Sequence, residues 1–232
     1  LQRRTLLAQQ QLFSTFTEEQ LDRLAGVSRL LSLPARAELC HKGDPGEQIY
    51  LIVSGRLKAS ATSPQGGEVV FSIMGPGEVA GEISLFCDGR RRTATMVAME
   101  ETELVVLDRR DFVPFLRAQP DAAIQLLEVF ARRLERISEL VEDTQFLNLP
   151  SRLAKKLLSL AHTYGVKDAD GSIRIDLRLS QGELGELVAT SRESVNKQIR
   201  AWSEQGIVTM EQGFITIHKR AALESLADLT TR

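Results

Sequence analysis

Cysteine, histidine and long apolar runs are scarce in this sequence, and each scarcity excludes something. Two cysteines, Cys40 and Cys87, are too few for a disulfide framework or a thiolate cluster, and they fit a reducing compartment. Three histidines, His41, His162 and His218, are too scattered to suggest a nucleophile–base pair or a metal centre, so no catalytic residue and no metal ligand is expected. No stretch approaches the ~18 uninterrupted apolar residues of a membrane span. The opening Leu1–Gln10 turns polar too soon for a secretory signal, which makes a cytoplasmic location the default. Internal repeats and low-complexity tracts are absent as well.

What is present suits two folded domains. The 232 residues are 43% hydrophobic and 26% charged, a soluble composition with too much apolar content for wholesale disorder. The net charge is −2, but it is unevenly spread. Residues 148–232 carry 12 Lys/Arg against 10 Asp/Glu, a balance of +2, and the first 147 carry 17 against 21, a balance of −4. That asymmetry points weakly toward a nucleic-acid partner for the C-terminal part.

Thr17-Glu18-Glu19-Gln20 is a capping-box pattern that opens a helix to about Gly26. From Ser28 to Leu107 the text consists of short β-type runs, such as Ile49–Val53, Val69–Met74 and Leu104–Leu107. Turn signals at Gly43–Gly46, Ser54-Gly55, Pro64–Gly67 and Gly75–Gly77 separate them. Many short strands at this spacing predict an antiparallel β-roll, jelly-roll-like. Asp108 is placed to cap a short helix through about Arg117. A helix from Asp121 to about Gln145 follows, with Leu127, Phe130, Leu134, Ile137 and Val141 at alternating three- and four-residue intervals. That seam predicts a dimerisation helix, and the same spacing would also serve a helix packed on its own β-domain. The fold class expected is α+β, divided into a β-roll over 1–119, the long helix and hinge over 120–147, and a third part over 148–232.

The third part reads as a winged helix-turn-helix. Asn148 caps a helix to about Tyr164, and Ile173, Ile175, Leu177 and Leu179 alternate as a strand. Ser180-Gln181-Gly182-Glu183 is a second capping box, starting a helix to about Val188. After a break at Ala189-Thr190, Ser191 caps a helix to about Gln205, and a hairpin around Gly213 follows. A short helix over Ala221–Leu229 closes the text. Arg192, Glu193, Asn196 and Lys197 fall within about one and a half turns and share a face. Such a face can offer a fork to guanine, an acceptor to a cytosine amine, and contacts to phosphate.

A second constellation lies in the β-domain. Gly81-Glu82-Ile83-Ser84 enters a single helical turn whose free N–H groups suit an anion, and Arg92, ten residues after Glu82, can close over that anion with Thr93 beside it. Glu82 can accept from sugar hydroxyls. Surface ion pairs would explain the same spacing.

The chain resembles the CRP/FNR family of bacterial transcription regulators over nearly its whole length. The resemblance rests on Gly43-Asp44, Glu47 and Tyr50–Gly55, then Gly81–Phe86 and Arg92-Thr93-Ala94. It continues with Ala131–Leu134, Arg152–Lys155 and Ser191–Val195. It is strongest with the cyclic-nucleotide branch. It implies a homodimer in which cAMP or cGMP, as an allosteric ligand and the only cofactor, is held by Gly81, Glu82, Ile83, Ser84, Arg92 and Thr93. By the same resemblance Ser138 reaches the nucleobase across the dimer, with Ile137 beside it in the ligand site. It implies further that Ser180, Gln181, Ser191, Arg192, Glu193, Asn196 and Lys197 bind an inverted-repeat DNA operator, with RNA polymerase as a further partner. Four positions depart from the branch: Ile137 replaces a base-bonding threonine, Gly182 a phosphate-contacting glutamine, Ala189 the usual turn glycine, and Lys197 an arginine. Two alternatives stay open, a ligand-independent member and a cyclic-nucleotide-binding subunit without DNA function. The second should lack Ser191-Arg192-Glu193.

Overall fold

The computed structural model describes residues 2–13, 16–63 and 67–228. The chain divides into two compact units, residues 1–134 and 135–232.

In the first unit, α1 (Gln2–Ala8) and α2 (Glu18–Val27) precede eight strands. The Thr17 hydroxyl accepts from the Gln20 N–H and the Gln20 side chain accepts from the Thr17 N–H, so the capping box is made as expected. The opening residues read as merely polar, yet α1 buries Leu7 fully, and Leu12 and Phe13 follow it into the same core. Strands β1 (Arg29–Leu33), β2 (Glu38–Cys40), β3 (Gln48–Ser54), β4 (Leu57–Thr62), β5 (Glu68–Met74), β6 (Val79–Ala80), β7 (Thr95–Ala98) and β8 (Thr102–Asp108) form two antiparallel four-stranded sheets. One has the order β1-β8-β3-β6 and the other β2-β7-β4-β5. The turn at Pro64–Gly67 lies mostly outside the described residues.

Why Ile49–Ile52 and Leu104–Leu107 are continuous apolar runs is clear from their two faces. Successive side chains of a strand point to opposite sides. Ile49, Leu51, Val105 and Leu107 enter one core with the helices. Tyr50, Ile52, Leu104 and Val106 enter another, shared with Leu57, Met74, Met96 and Ala98 of the opposite sheet. Both strands are therefore buried on both faces, each large side chain contributing about 1.5–3 kcal/mol.

After the single turn α3 (Ile83–Phe86) and strands β7 and β8 come α4 (Arg109–Ala118) and α5 (Pro120–Phe146). Asp108 precedes α4 as expected, but its side chain makes no capping bond. Its carboxylate instead accepts from Gln48 Nε2 at 3.0 Å, the residue facing it across the β3–β8 ladder. The expected seam on α5 is mixed. Phe130 packs on the first core and meets Phe86 edge-on. Leu127, Leu134, Ile137 and Val141 are each 45–66% exposed, and Ile124 joins them at 55%.

The second unit contains the end of α5, then α6 (Leu149–Tyr164), β9 (Gly165–Lys167), β10 (Ile173–Ile175), α7 (Gln181–Leu187), α8 (Arg192–Glu204), β11 (Val208–Glu211), β12 (Phe214–Ile217) and α9 (Arg220–Asp228). Asn148 caps α6 by accepting from the Ser151 N–H. The strand expected over 173–179 stops at Ile175. Leu177 and Leu179 keep the buried alternation without the ladder: past Ile175 the Asp176 N–H donates to the Tyr164 carbonyl at 2.8 Å, and the Leu179 N–H donates to the Gly213 carbonyl at 2.8 Å. The hairpin turn between β11 and β12 is Gln212-Gly213, both at positive φ. Of the expected last helix, Leu229 lies outside the described residues. No helix among the described residues is long and apolar enough to cross a membrane.

Candidate functional site: a buried guanidinium pocket and an exposed helix face

Gly81 follows β6 at φ +81°, the left-handed region where glycine alone carries no steric cost. A Cβ there would sit 2.4 Å from Arg92 Nη1 and 3.0 Å from the Gln48 carbonyl. The glycine is therefore what lets Arg92 lie flat against the strand. Arg92 is only 3% exposed. Its Nη1 donates to the carbonyls of Gln48 (2.8 Å) and Gly81 (3.1 Å) and to Ser84 Oγ (3.1 Å). Its Nη2 donates to the Tyr50 hydroxyl at 3.0 Å, with the guanidinium 5.0 Å from that ring's centroid. Nε is buried and without a partner.

Glu82 is fully buried. One carboxylate oxygen, Oε1, pairs with Arg133 of α5, whose other nitrogen donates to the Val79 carbonyl and lies 3.2 Å from Met74 Sδ. The second oxygen, Oε2, is buried without a partner. Burial pushes the Glu82 carboxyl above its ordinary range, opposed chiefly by the Arg133 guanidinium. Gly81, Glu82, Ser84 and Arg92 thus converge, with Ile83 half-buried in the turn and Thr93 exposed beside Arg92. Ile137 and Ser138 are exposed on the part of α5 that belongs to the second unit.

Arg133 and Tyr50 were not expected in this role. Arg133 had a signal: Ala122, Leu126 and Phe130 mark the face of α5 turned to the β-domain, and Arg133 continues it at helical spacing. Tyr50 looked like an ordinary core residue inside an apolar strand, and only pairing with Arg92 distinguishes it.

The second constellation is built the opposite way. Ser180 and Glu183 complete the capping box of α7, and Ser191 caps α8 by accepting from the Ser194 N–H. Gly185 permits the crossing, since a Cβ there would come within 2.7 Å of the Thr190 carbonyl. Ala189 takes φ +53°, the conformation for which glycine is usual. Arg152 of α6 fastens the turn, donating to the carbonyls of Val188 (3.1 Å) and Leu147 (2.8 Å). Val195, Ile199 and Trp202 are buried, and Arg192, Glu193, Asn196 and Lys197 all face solvent. Gln181 Nε2 donates to Asn196 Oδ1 at 3.0 Å, so two expected DNA contacts hold each other. Arg200, one turn past Asn196 and eight residues from Arg192, extends this face, and its helical spacing is the signal that marks it.

Residues 30–119 match the cyclic nucleotide-binding domain family, and residues 151–226 match the Crp-like helix-turn-helix domain family. A CRP-like cAMP-activated global transcriptional regulator of Mycobacterium tuberculosis is 36% identical over 170 residues, 73% of this chain and 75% of that protein. The chain belongs to the CRP/FNR family. A cyclic AMP receptor protein of Thermus thermophilus is 31% identical over 216 residues, covering 93% of this chain and 96% of the relative. In fold, a c-di-GMP-responsive global regulator of Xanthomonas campestris aligns with TM-score 0.77 at 21% identity, over 87% of this chain and 99% of that one. These CRP/FNR relatives are transcription regulators rather than enzymes, and this chain is a regulator of the same family, with a cyclic-nucleotide-binding domain and a DNA-binding helix-turn-helix.

Proposed function

We propose that this regulator is a cytoplasmic homodimer gated by a cyclic nucleotide, cAMP or cGMP. In this reading 1–119 hold the ligand, 120–147 form the dimer helix and hinge, and 148–232 read an inverted-repeat operator and recruit RNA polymerase. One observation carries the ligand half: two buried polar atoms without partners, Glu82 Oε2 and Arg92 Nε, belong to groups of opposite charge in one cradle. A buried polar group without a partner costs about 1–3 kcal/mol. A ligand with a sugar hydroxyl for the carboxylate and a phosphate oxygen for the guanidinium removes both penalties. Gly81, Ile83, Ser84 and Thr93 complete the cradle, and Ile137 and Ser138 serve the base in the dimer, as the family resemblance implies. Ile137 has no hydrogen bond to give a base, so discrimination between adenine and guanine falls to Ser138, Thr93 and shape.

For DNA, Arg192, Glu193 and Lys197 are the base readers, and Ser180, Gln181, Ser191 and Asn196 position the helix. Two-fold symmetry sets the half-sites one helical turn, ~34 Å, apart. Parallel calorimetric titration with cAMP and cGMP tests the ligand, followed by operator binding with and without it. Coupling of the usual 1–3 kcal/mol raises DNA affinity roughly 5- to 150-fold. Equal DNA binding with and without either nucleotide refutes the gating. A second reading, a regulator active without ligand, draws on the four acceptors that Arg92 already has and on Arg133 already seated on Glu82.

A further inference from the structure

Gln48 and Tyr50 are two residues apart on β3 and therefore share one face of the strand, the face that also looks on Arg92. Asp108 is the cross-strand partner of Gln48 on β8. Their side chains form an unbroken chain of donors and acceptors. Asp108 Oδ1 accepts from Gln48 Nε2 at 3.0 Å. Gln48 Oε1 accepts from the Tyr50 hydroxyl at 3.2 Å, and that hydroxyl accepts from Arg92 Nη2 at 3.0 Å. Each direction is forced. A guanidinium only donates, so the tyrosine oxygen must accept from it and spend its one proton on Gln48. The Gln48 amide must then turn its oxygen to Tyr50 and its nitrogen to the carboxylate. Burial raises the Tyr50 phenol above its ordinary range, which keeps that proton in place. The arrangement also explains why Asp108, at the N-terminus of α4, leaves the helix uncapped. Its Oδ1 is committed to Gln48, and its other oxygen, Oδ2, lies 3.7 Å from Arg110 Nη2.

We propose that Tyr50, Gln48 and Asp108 are positioning residues for the anion pocket, holding the Arg92 guanidinium so that its Nε–H and its remaining Nη2 proton meet a phosphate. The inference rests on the cyclic-nucleotide reading above. Nη1 is spent on two carbonyls and Ser84, which fixes one end of the plane, and the tyrosine fixes its rotation. The carboxylate at the far end orders and polarises the chain. Hydrogen bonds in series strengthen one another, so its members act as one unit.

The test is calorimetric titration of the full-length protein with cAMP, cGMP and the 2′-deoxy form of whichever nucleotide binds. Tyr50→Phe is expected to weaken binding about tenfold and Asp108→Ala about three- to fivefold, the usual scale for one lost hydrogen bond. The double variant should be no weaker than Tyr50→Phe alone, since members of one network are not additive. Asp108→Asn keeps an acceptor for Gln48 and should restore binding to within about twofold of wild type. The penalty for removing the 2′-hydroxyl should be the same in every variant, because Glu82 is outside the chain. General loosening of the pocket would shrink that penalty, and such shrinkage overturns the proposal. So do additive losses, or wild-type affinity in both single variants. If wild type binds neither nucleotide, the cyclic-nucleotide reading itself fails. If wild type binds and only Arg92→Leu loses affinity, that reading stands and this one falls.

Discussion

The pocket and the reading helix both depend on arginine and glutamate, and the two regions treat those charges in opposite ways. Arg92 and Glu82 are 3% and 0% exposed, and each is held by groups of the protein itself. Arg192 and Glu193 project into solvent, with their helix anchored from behind by Val195, Ile199 and Trp202. A charge removed from water must be compensated in place, so the β-domain spends Gly81, Ser84, Tyr50 and Arg133 on two residues. A charge left in water needs only the right spacing on a rigid helix. The pocket charges are accordingly tied to several fixed partners. The helix face carries Lys197 in solvent, where a change of side chain touches no core contact.

The largest expected effect tests that contrast at its buried end. Arg133→Met leaves Glu82 buried without its cation and should lower unfolding stability by about 3–5 kcal/mol, read by denaturant titration. The pH dependence has a definite sign. A carboxyl whose pKa is raised on folding binds more protons in the folded state, so stability falls as pH rises from the ordinary carboxylate range toward the folded value. Losing Arg133 should steepen that fall, and a variant that is more stable at neutral than at mildly acid pH would contradict it.

Next in size is the exposed apolar stripe. Leu134 is 66% exposed, and Leu134→Glu should raise the dimer dissociation constant at least a hundredfold, about 2.8 kcal/mol, with no loss of fold. Light scattering across a concentration series reads it, and a monomeric wild type at micromolar concentration would refute the dimer.

Arg192→Ala should cost about 1–3 kcal/mol on the operator, leave thermal stability unchanged, and relax one base position per half-site. Equal losses on operator and random DNA would instead make it a phosphate contact. The smallest effect belongs to the turn between α7 and α8. Ala189→Gly removes the steric cost of φ +53° and should stabilise the second unit by about 0.5–1 kcal/mol. Thermal melting in which the variant loses stability would show that chain entropy outweighs the strain.

Much of the architecture was written in local text. The capping residues Thr17, Asn148, Ser180 and Ser191 each begin the helix their sequence announces. Periodicity also located the buried faces of α6 and α8, and glycine marked the turn at Gly213. These signals are legible because a cap or a helical face is decided by residues within a few positions of one another. Two local expectations failed for non-local reasons: Asp108 is drawn off by Gln48 across the ladder, and the strand after Ile175 is cut short where Leu179 bonds Gly213. The helix at Gln2–Ala8 has little local signature, because a single short apolar pair, Leu6-Leu7, is a weak pattern until a core receives it.

Sequence by itself determined which residues carry charge, where helices begin, and that Gly81 through Arg92 forms a recognisable block. Tertiary structure alone decided what those charges meet. Arg133 is 51 residues from Glu82 and Tyr50 is 42 from Arg92, separations at which spacing carries no information about contact. Only the closure of two sheets and the packing of α5 against them brings these groups together. Only that burial, by stripping water from Glu82 and Arg92, makes each partner matter.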